Sequence, residues 1–110
     1  MDYNKIIPSV DFVKQLKPLI KKYRSLDGEL RIFYDDLLNN PAQGDPLGNN
    51  IYKVRLSIAS KGKGKSGGAR IVTFLYKEKA TIYLIAIYDK SEISSVTNAY
   101  LKSVIKSLGE

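Results

Sequence analysis

The 110-residue sequence contains no cysteine and no histidine. Disulfides, thiolate chemistry and imidazole catalysis are thereby excluded, and with them nearly every zinc site. Amines, carboxylates, phenols or solvent must carry any proton transfer. Long apolar runs are missing as well. The longest, Ile82–Ile87, falls far short of the roughly 20 residues that cross a bilayer, so no membrane span is expected. The opening Met1-Asp2-Tyr3-Asn4-Lys5 leads into a short apolar stretch broken by Pro8, unlike a secretory signal, and the expected location is the cytoplasm. A carboxylate-only magnesium site is the one metal site left formally open. Asp35-Asp36 is the densest pair, but neighbours on a helix point about 100° apart. A solvated helix face is the reading there, and no metal or cofactor is expected.

What is present is an ordinary globular composition, 44% hydrophobic and 26% charged, at a length that suits one domain over residues 1–110. The net charge is +7, and its placement says more than its size. Residues 1–50 hold seven basic and seven acidic side chains; residues 51–110 hold eleven basic against four acidic. A surface so divided favours a polyanionic partner, nucleic acid before membrane. The plain alternative is a basic surface that serves solubility.

The apolar spacing changes along the chain. After a short apolar segment at residues 4–7, Phe12, Leu16, Ile20 and Tyr23 form one face of a helix starting near Ser9, with Pro18 expected to kink or split it. Leu26, Leu30, Phe33 and Leu37 mark a second helix, capped by Ser25 or Asp27 and ending near Asn39-Asn40-Pro41. The stretch to Asn50 reads as a surface loop.

From Ile51 the period is two, with Tyr52, Val54, Leu56 and Ile58 on one face and Lys53, Arg55 and Ser57 on the other. Residues 69–76 read as the next strand, Lys77-Glu78-Lys79 as a turn, and residues 81–88 as a strand buried on both faces, pairing antiparallel in sequence order. Ser94 or Ser95 can cap a last helix carrying Val96, Tyr100, Val104 and Leu108. The order is β-α-α-β-β-β-α, an α+β fold with a mainly antiparallel twisted sheet packed by helices, in its simplest form on one side.

Ala59-Ser60-Lys61-Gly62-Lys63-Gly64-Lys65-Ser66 imitates a phosphate-binding P-loop. A P-loop needs a helix immediately after it, whereas here Gly67-Gly68 lead into a strand pattern. The segment reads better as a basic finger between two strands, its lysines offered to phosphates, against the alternative of a solvated loop.

Tyr52-Lys53-Val54-Arg55-Leu56, the run Ser60–Ile71 with its Lys-Gly repeats and Arg70, Tyr83-Leu84-Ile85 and Tyr88-Asp89-Lys90-Ser91-Glu92 together resemble RelE/HigB-type toxins, in the HigB-like branch. Lys21-Lys22-Tyr23 and Asn40-Pro41 extend the match weakly. The resemblance implies a RelE-like fold and a toxin of a type II toxin–antitoxin system: a ribosome-dependent endoribonuclease (mRNA interferase) that inhibits translation. It implies cleavage without metal, in which the ribose 2′-hydroxyl attacks the adjacent phosphate and leaves a 2′,3′-cyclic phosphate end.

Carried over by position, Lys53 and Arg55 flank the phosphate from one sheet face, and Arg70 clamps it with a planar fork that lysine lacks. In so positive a site Lys53 is the candidate base. RelE-type members carry an arginine after the position of Lys90 and a tyrosine at the start of the last helix; here Ser91 and Thr97 stand there. Lys90 then takes the cationic role. Tyr88 and Glu92 are candidates to assist proton transfer, against a packed tyrosine and a carboxylate near a helix start. Lys61, Lys63, Lys65 and Ser66 are assigned to RNA phosphates.

The implied partners are a cognate antitoxin, of the helix-turn-helix HigA-like kind common in that branch, the ribosome and its mRNA, and DNA only through the antitoxin complex. Two alternatives stay open: a ParE-like toxin that inhibits DNA gyrase on the same fold, and a non-catalytic RNA- or ribosome-binding module. The basic set with its loop favours RNA over gyrase, and cut product ends separate the enzyme from the module.

Overall fold

The computed structural model describes residues 2–61, 68–93 and 95–109. Five strands, β1 (Lys5–Pro8), β2 (Asp45–Gly48), β3 (Ile51–Leu56), β4 (Ala69–Tyr76) and β5 (Thr81–Asp89), form one sheet in the order β1-β5-β4-β3-β2. β1 runs parallel to β5, while β2, β3, β4 and β5 pair antiparallel in succession. The helices are α1 (Val10–Lys22), α2 (Leu26–Asn39) and α3 (Asn98–Ser107).

The expected element order is present, with one addition. Residues 45–48, read from sequence as loop, form the edge strand β2, every residue of which is exposed. Backbone pairing to β3 alone makes it a strand, so no side-chain alternation announces it. Gly44 just before it has φ +93, and a Cβ there would stand 2.5 Å from the Lys53 carbonyl oxygen, so only glycine lets the chain approach β3 this closely.

α1 starts where Ser9 is free to cap it. The Ser9 hydroxyl accepts from Phe12 N at 3.0 Å and donates to the Ile85 carbonyl at 3.1 Å, tying the helix start to β5. Pro18 does not split the helix, which continues to Lys22. β1 ends at its pairing with Leu84, and α1 side chains take over along that edge: the Ile87 amide donates to Gln15 Oε1 at 3.0 Å. α2 buries Leu26, Leu30, Phe33 and Leu37; its Ser25 hydroxyl makes no cap bond and instead donates to Glu29 Oε1 at 3.0 Å, with Ser60 Oγ at 2.8 Å on its other side.

The helices lie on both faces of the sheet, which corrects the one-sided arrangement. Phe12, Leu19, Leu26, Leu30, Phe33 and Leu37 pack with Val54, Ile71, Leu75, Ile82 and Leu84 in one core; Leu101 and Val104 of α3 pack with Ile51, Val72, Tyr83 and Ile85 in another. Because β5 is apolar on both faces, each face requires its own cover. α3 begins later than Ser94 or Ser95 would place it: Thr97 is the cap, accepting from Tyr100 N at 3.1 Å, and Ser94 lies outside the described residues.

A bulge in β5 sets the facing of its last residues. Val72 pairs with Ala86 but Thr73 with Leu84, leaving Ile85 as the extra residue. An extra residue inverts the alternation beyond it. Ile82 and Leu84 face α1 and α2 before the bulge and Ile87 does so after it, while Tyr88 turns to the α3 face.

Candidate nucleic-acid interface

On the α3 face the register builds three successive cross-sheet rows: Ile51–Phe74–Tyr83, then Lys53–Val72–Ala86, then Arg55–Arg70–Tyr88. Partners within a row stand about 5 Å apart at Cα, and residues two along a strand about 7 Å apart. The first row is apolar and aromatic, with Phe74 and Tyr83 stacked at 6.3 Å between ring centroids. Phe74, Tyr76 and Tyr83 therefore serve the core beside α3. Beyond them the face turns cationic. One position past β5, the Lys90 amide donates to the Gly68 carbonyl at 3.2 Å, which extends the ladder and sets Lys90 diagonal to Arg70.

Four candidate residues, Lys53, Arg55, Arg70 and Lys90, thus converge on one end of one sheet face. Like charges directly opposite each other, as Arg55 and Arg70 are, destabilise a sheet, so the pairing contributes nothing to the fold by itself. The row is graded in exposure: Arg55 is exposed, Lys53 and Lys90 are half-buried, and Arg70 is 5% exposed. An Arg70 Nη donates to the Ala69 carbonyl at 3.2 Å. Asp45 stands opposite Lys53, so a carboxylate enters surroundings expected to be purely positive.

Tyr88 stands opposite Arg70 and is 4% exposed, and its hydroxyl has no hydrogen-bond partner among the described residues. Burial pushes its pKa up, partly countered by the charge of Arg70. A phenol so placed is protonated at neutral pH and acts as a donor, not a base. Glu92 is engaged elsewhere, paired with Lys22 at 3.0 Å.

The cleft beside the row, about 210 Å³, is lined by Gln43, Gly44, Asp45, Lys53, Val54 and Arg55. A larger one of about 370 Å³ lies between α2 and the β3 edge; Arg55 lines it as well, but with Glu29 and Asp36, two carboxylates that suit a phosphate poorly. Glu29 also secures the entry to the glycine–lysine segment, accepting from Ala59 N at 2.8 Å, while Ser25 Oγ accepts from Ser60 N at 2.9 Å. Lys61 ends a 3-10 turn there; Lys63, Lys65 and Ser66 lie outside the described residues. Among the described residues no three His, Cys, Asp or Glu gather so as to hold a metal ion.

Gly68 marks where β3 and β4 close on each other. A Cβ on it would lie 2.1 Å from the Leu56 carbonyl oxygen, which explains a glycine immediately before Arg70's strand.

Sequence reasoning missed Asp89 and Tyr23. Asp89 is 2% exposed and accepts from the Tyr23 hydroxyl at 2.6 Å. The only sequence signal was that both residues fell within segments matching the same motif set.

A mixed sheet with one parallel edge strand, a helix pair on one face and the C-terminal helix on the other is the RelE-like toxin fold. No family model matches the sequence. The chain is similar to the free E. coli toxin RelE carrying two arginine-to-alanine changes, with 17% identity, 98% of this chain and 99% of that one covered, and a TM-score of 0.61. It is similar to the isolated E. coli RelE toxin at 17% identity, with 96% and 98% covered and a TM-score of 0.57. The doubly substituted RelE in complex with a peptide of its antitoxin RelB gives 21% identity, 89% and 98% covered and a TM-score of 0.60.

Proposed function

We propose that this protein is the toxin of a type II toxin–antitoxin pair and cleaves mRNA on the ribosome. The observation that carries the reading is the convergence of Lys53, Arg55 and Arg70, with Lys90 at its end, on one face of a RelE-like fold. Two arginines opposite each other beside a lysine repel, and a phosphate bound between them would offset that repulsion.

In this reading the 2′-hydroxyl oxygen forms a bond to phosphorus as the bond from phosphorus to the 5′-oxygen breaks, giving a 2′,3′-cyclic phosphate. Arg70 and Arg55 stabilise the negative charge that develops on the phosphoryl oxygens. Lys53 takes the proton from the 2′-hydroxyl in this reading, and Lys90 supplies one to the departing 5′-oxygen. The Tyr88 phenol donates a hydrogen bond beside Arg70. Lys61, Lys63, Lys65 and Ser66 hold flanking phosphates of messenger or ribosomal RNA. The RelE structure bound to an antitoxin peptide supports a protein antitoxin as the partner that silences this chain.

The test adds the purified protein to a reconstituted translation reaction and to naked mRNA. The expected result is cut mRNA only where ribosomes are present, with 3′ ends that resist ligation until a cyclic phosphate is opened and removed. Intact mRNA with normal translation, together with loss of supercoiling by DNA gyrase, would replace this reading with the ParE-like one.

A further inference from the structure

We propose that Asp89 is a positioning residue that holds Lys90 in register with Arg70 through a tether to α1; the inference rests on reading the cationic row as the phosphate clamp. Asp89 is the one charged residue in β5, a strand otherwise made of Thr, Tyr, Ala, Ile and Leu and buried along its whole length. Its carboxylate accepts from the Tyr23 hydroxyl at 2.6 Å, from Ser91 N at 2.9 Å and from Ser91 Oγ at 2.7 Å. Its carbonyl oxygen accepts from Glu92 N at 3.0 Å and Ile93 N at 2.9 Å. The turn that leaves β5 is therefore wound around this one residue. Tyr23 is the C-cap of α1, so the turn is pinned to a helix end, and the Lys22–Glu92 pair at 3.0 Å repeats the link outside.

A buried carboxylate is weak evidence for stability, because desolvation offsets most of what its partners return. Its value here is directional. The bulge at Ile85 makes Asp89 face α1, which leaves Tyr88 before it and Lys90 after it at register positions on the other face, beside Arg70. A side chain locked on one face fixes how its neighbours leave on the other. Lys90 follows the last residue of the strand, with its amide on the Gly68 carbonyl, so its side chain departs from the turn that Asp89 organises.

Asparagine fills the same volume but presents one oxygen and an amide that cannot accept, so it cannot serve the phenol and Ser91 together. The experiment measures single-turnover cleavage of a ribosome-bound reporter mRNA at saturating protein, and ribosome association by co-sedimentation. It compares wild type, Asp89→Asn, Tyr23→Phe, Lys90→Ala and the double variant Asp89→Asn/Lys90→Ala. The expected result is a rate lower by on the order of ten- to hundredfold in Asp89→Asn, the scale set by displacing a reacting group by about 1 Å. Tyr23→Phe, which keeps the packing, falls in the same direction by less, and carries the test if Asp89→Asn fails to fold. Association should be unchanged in both, and the double variant no slower than Lys90→Ala alone.

Full activity in Asp89→Asn, additive losses in the double variant, or a Lys90→Ala protein as fast as wild type would each overturn the proposal while the cleft reading stands. A wild-type protein that leaves ribosome-bound mRNA whole would overturn both.

Discussion

Consider Tyr88→Phe beside Tyr3→Phe. Both phenols are buried, at 4% and 8% exposure, both hydroxyls have no hydrogen-bond partner among the described residues, and burial raises the pKa of both. A hydroxyl buried without a partner costs about 1–3 kcal/mol in a folded protein. Removing the oxygen restores that, less a few tenths of a kcal/mol of dispersion attraction that the oxygen supplied to its surroundings. Each substitution should therefore stabilise the fold by about 1 kcal/mol, which for a chain of this size raises Tm by roughly 4 °C. The two sites differ in one respect. Tyr88 stands opposite Arg70, whereas Tyr3 packs in the core on the other face of the sheet. Thermal unfolding followed by circular dichroism and ribosome-dependent mRNA cleavage, measured on both variants, should show equal stabilisation but unequal activity: Tyr3→Phe as fast as wild type, Tyr88→Phe slower, because the lost hydroxyl stands opposite Arg70. A Tyr88→Phe protein that is less stable than wild type would refute the reasoning about the hydroxyl, and one that is more stable and fully active would remove Tyr88 from the site.

Arg70→Lys keeps the charge but loses the fork, and cleavage rates should fall nearly as far as in Arg70→Ala, by about a hundredfold or more, in the same reporter assay. Gly68→Ala forces a methyl against the Leu56 carbonyl at 2.1 Å, so β3 and β4 must part; urea unfolding should show a loss of roughly 1–3 kcal/mol. Ser9→Ala removes both the cap on Phe12 N and the donor to the Ile85 carbonyl, and should cost about 2 kcal/mol by the same measurement. Burial raises the pKa of Tyr3, Tyr34, Tyr88 and Tyr100 above the ordinary phenol value of 10.0. The unfolded chain then releases these protons first as pH rises, so stability should hold below pH 10 and decline above it; urea midpoints between pH 8 and 11 check the sign.

How far the sequence could be read depended on whether a side-chain pattern existed to read. β4 was legible to the residue because Ala69–Tyr76 is bounded by glycines on one side and Lys77-Glu78-Lys79 on the other. Lys53 and Arg55 were assigned to one face by strict alternation, and the register then placed Arg70 beside them. β2 could not be seen, since its exposed residues follow backbone pairing alone. Nor could the side on which α3 packs: β5 is apolar on both faces, and a doubly buried strand does not say which helix covers which face. The same uniformity hid the bulge at Ile85, because a run without alternation has none to interrupt. Asp89 and Tyr23 were each read within matching segments but not as partners, because they lie 66 residues apart and only the packing of α1 on β5 brings them together.

The most direct test of the central claim maps the 5′ ends of a reporter mRNA after a reconstituted translation reaction, with wild-type protein and with Arg70→Ala. Cuts that recur in register with codons, require ribosomes and vanish in Arg70→Ala are the predicted result. Cuts without codon register on naked mRNA, or unchanged cutting by Arg70→Ala, would contradict it.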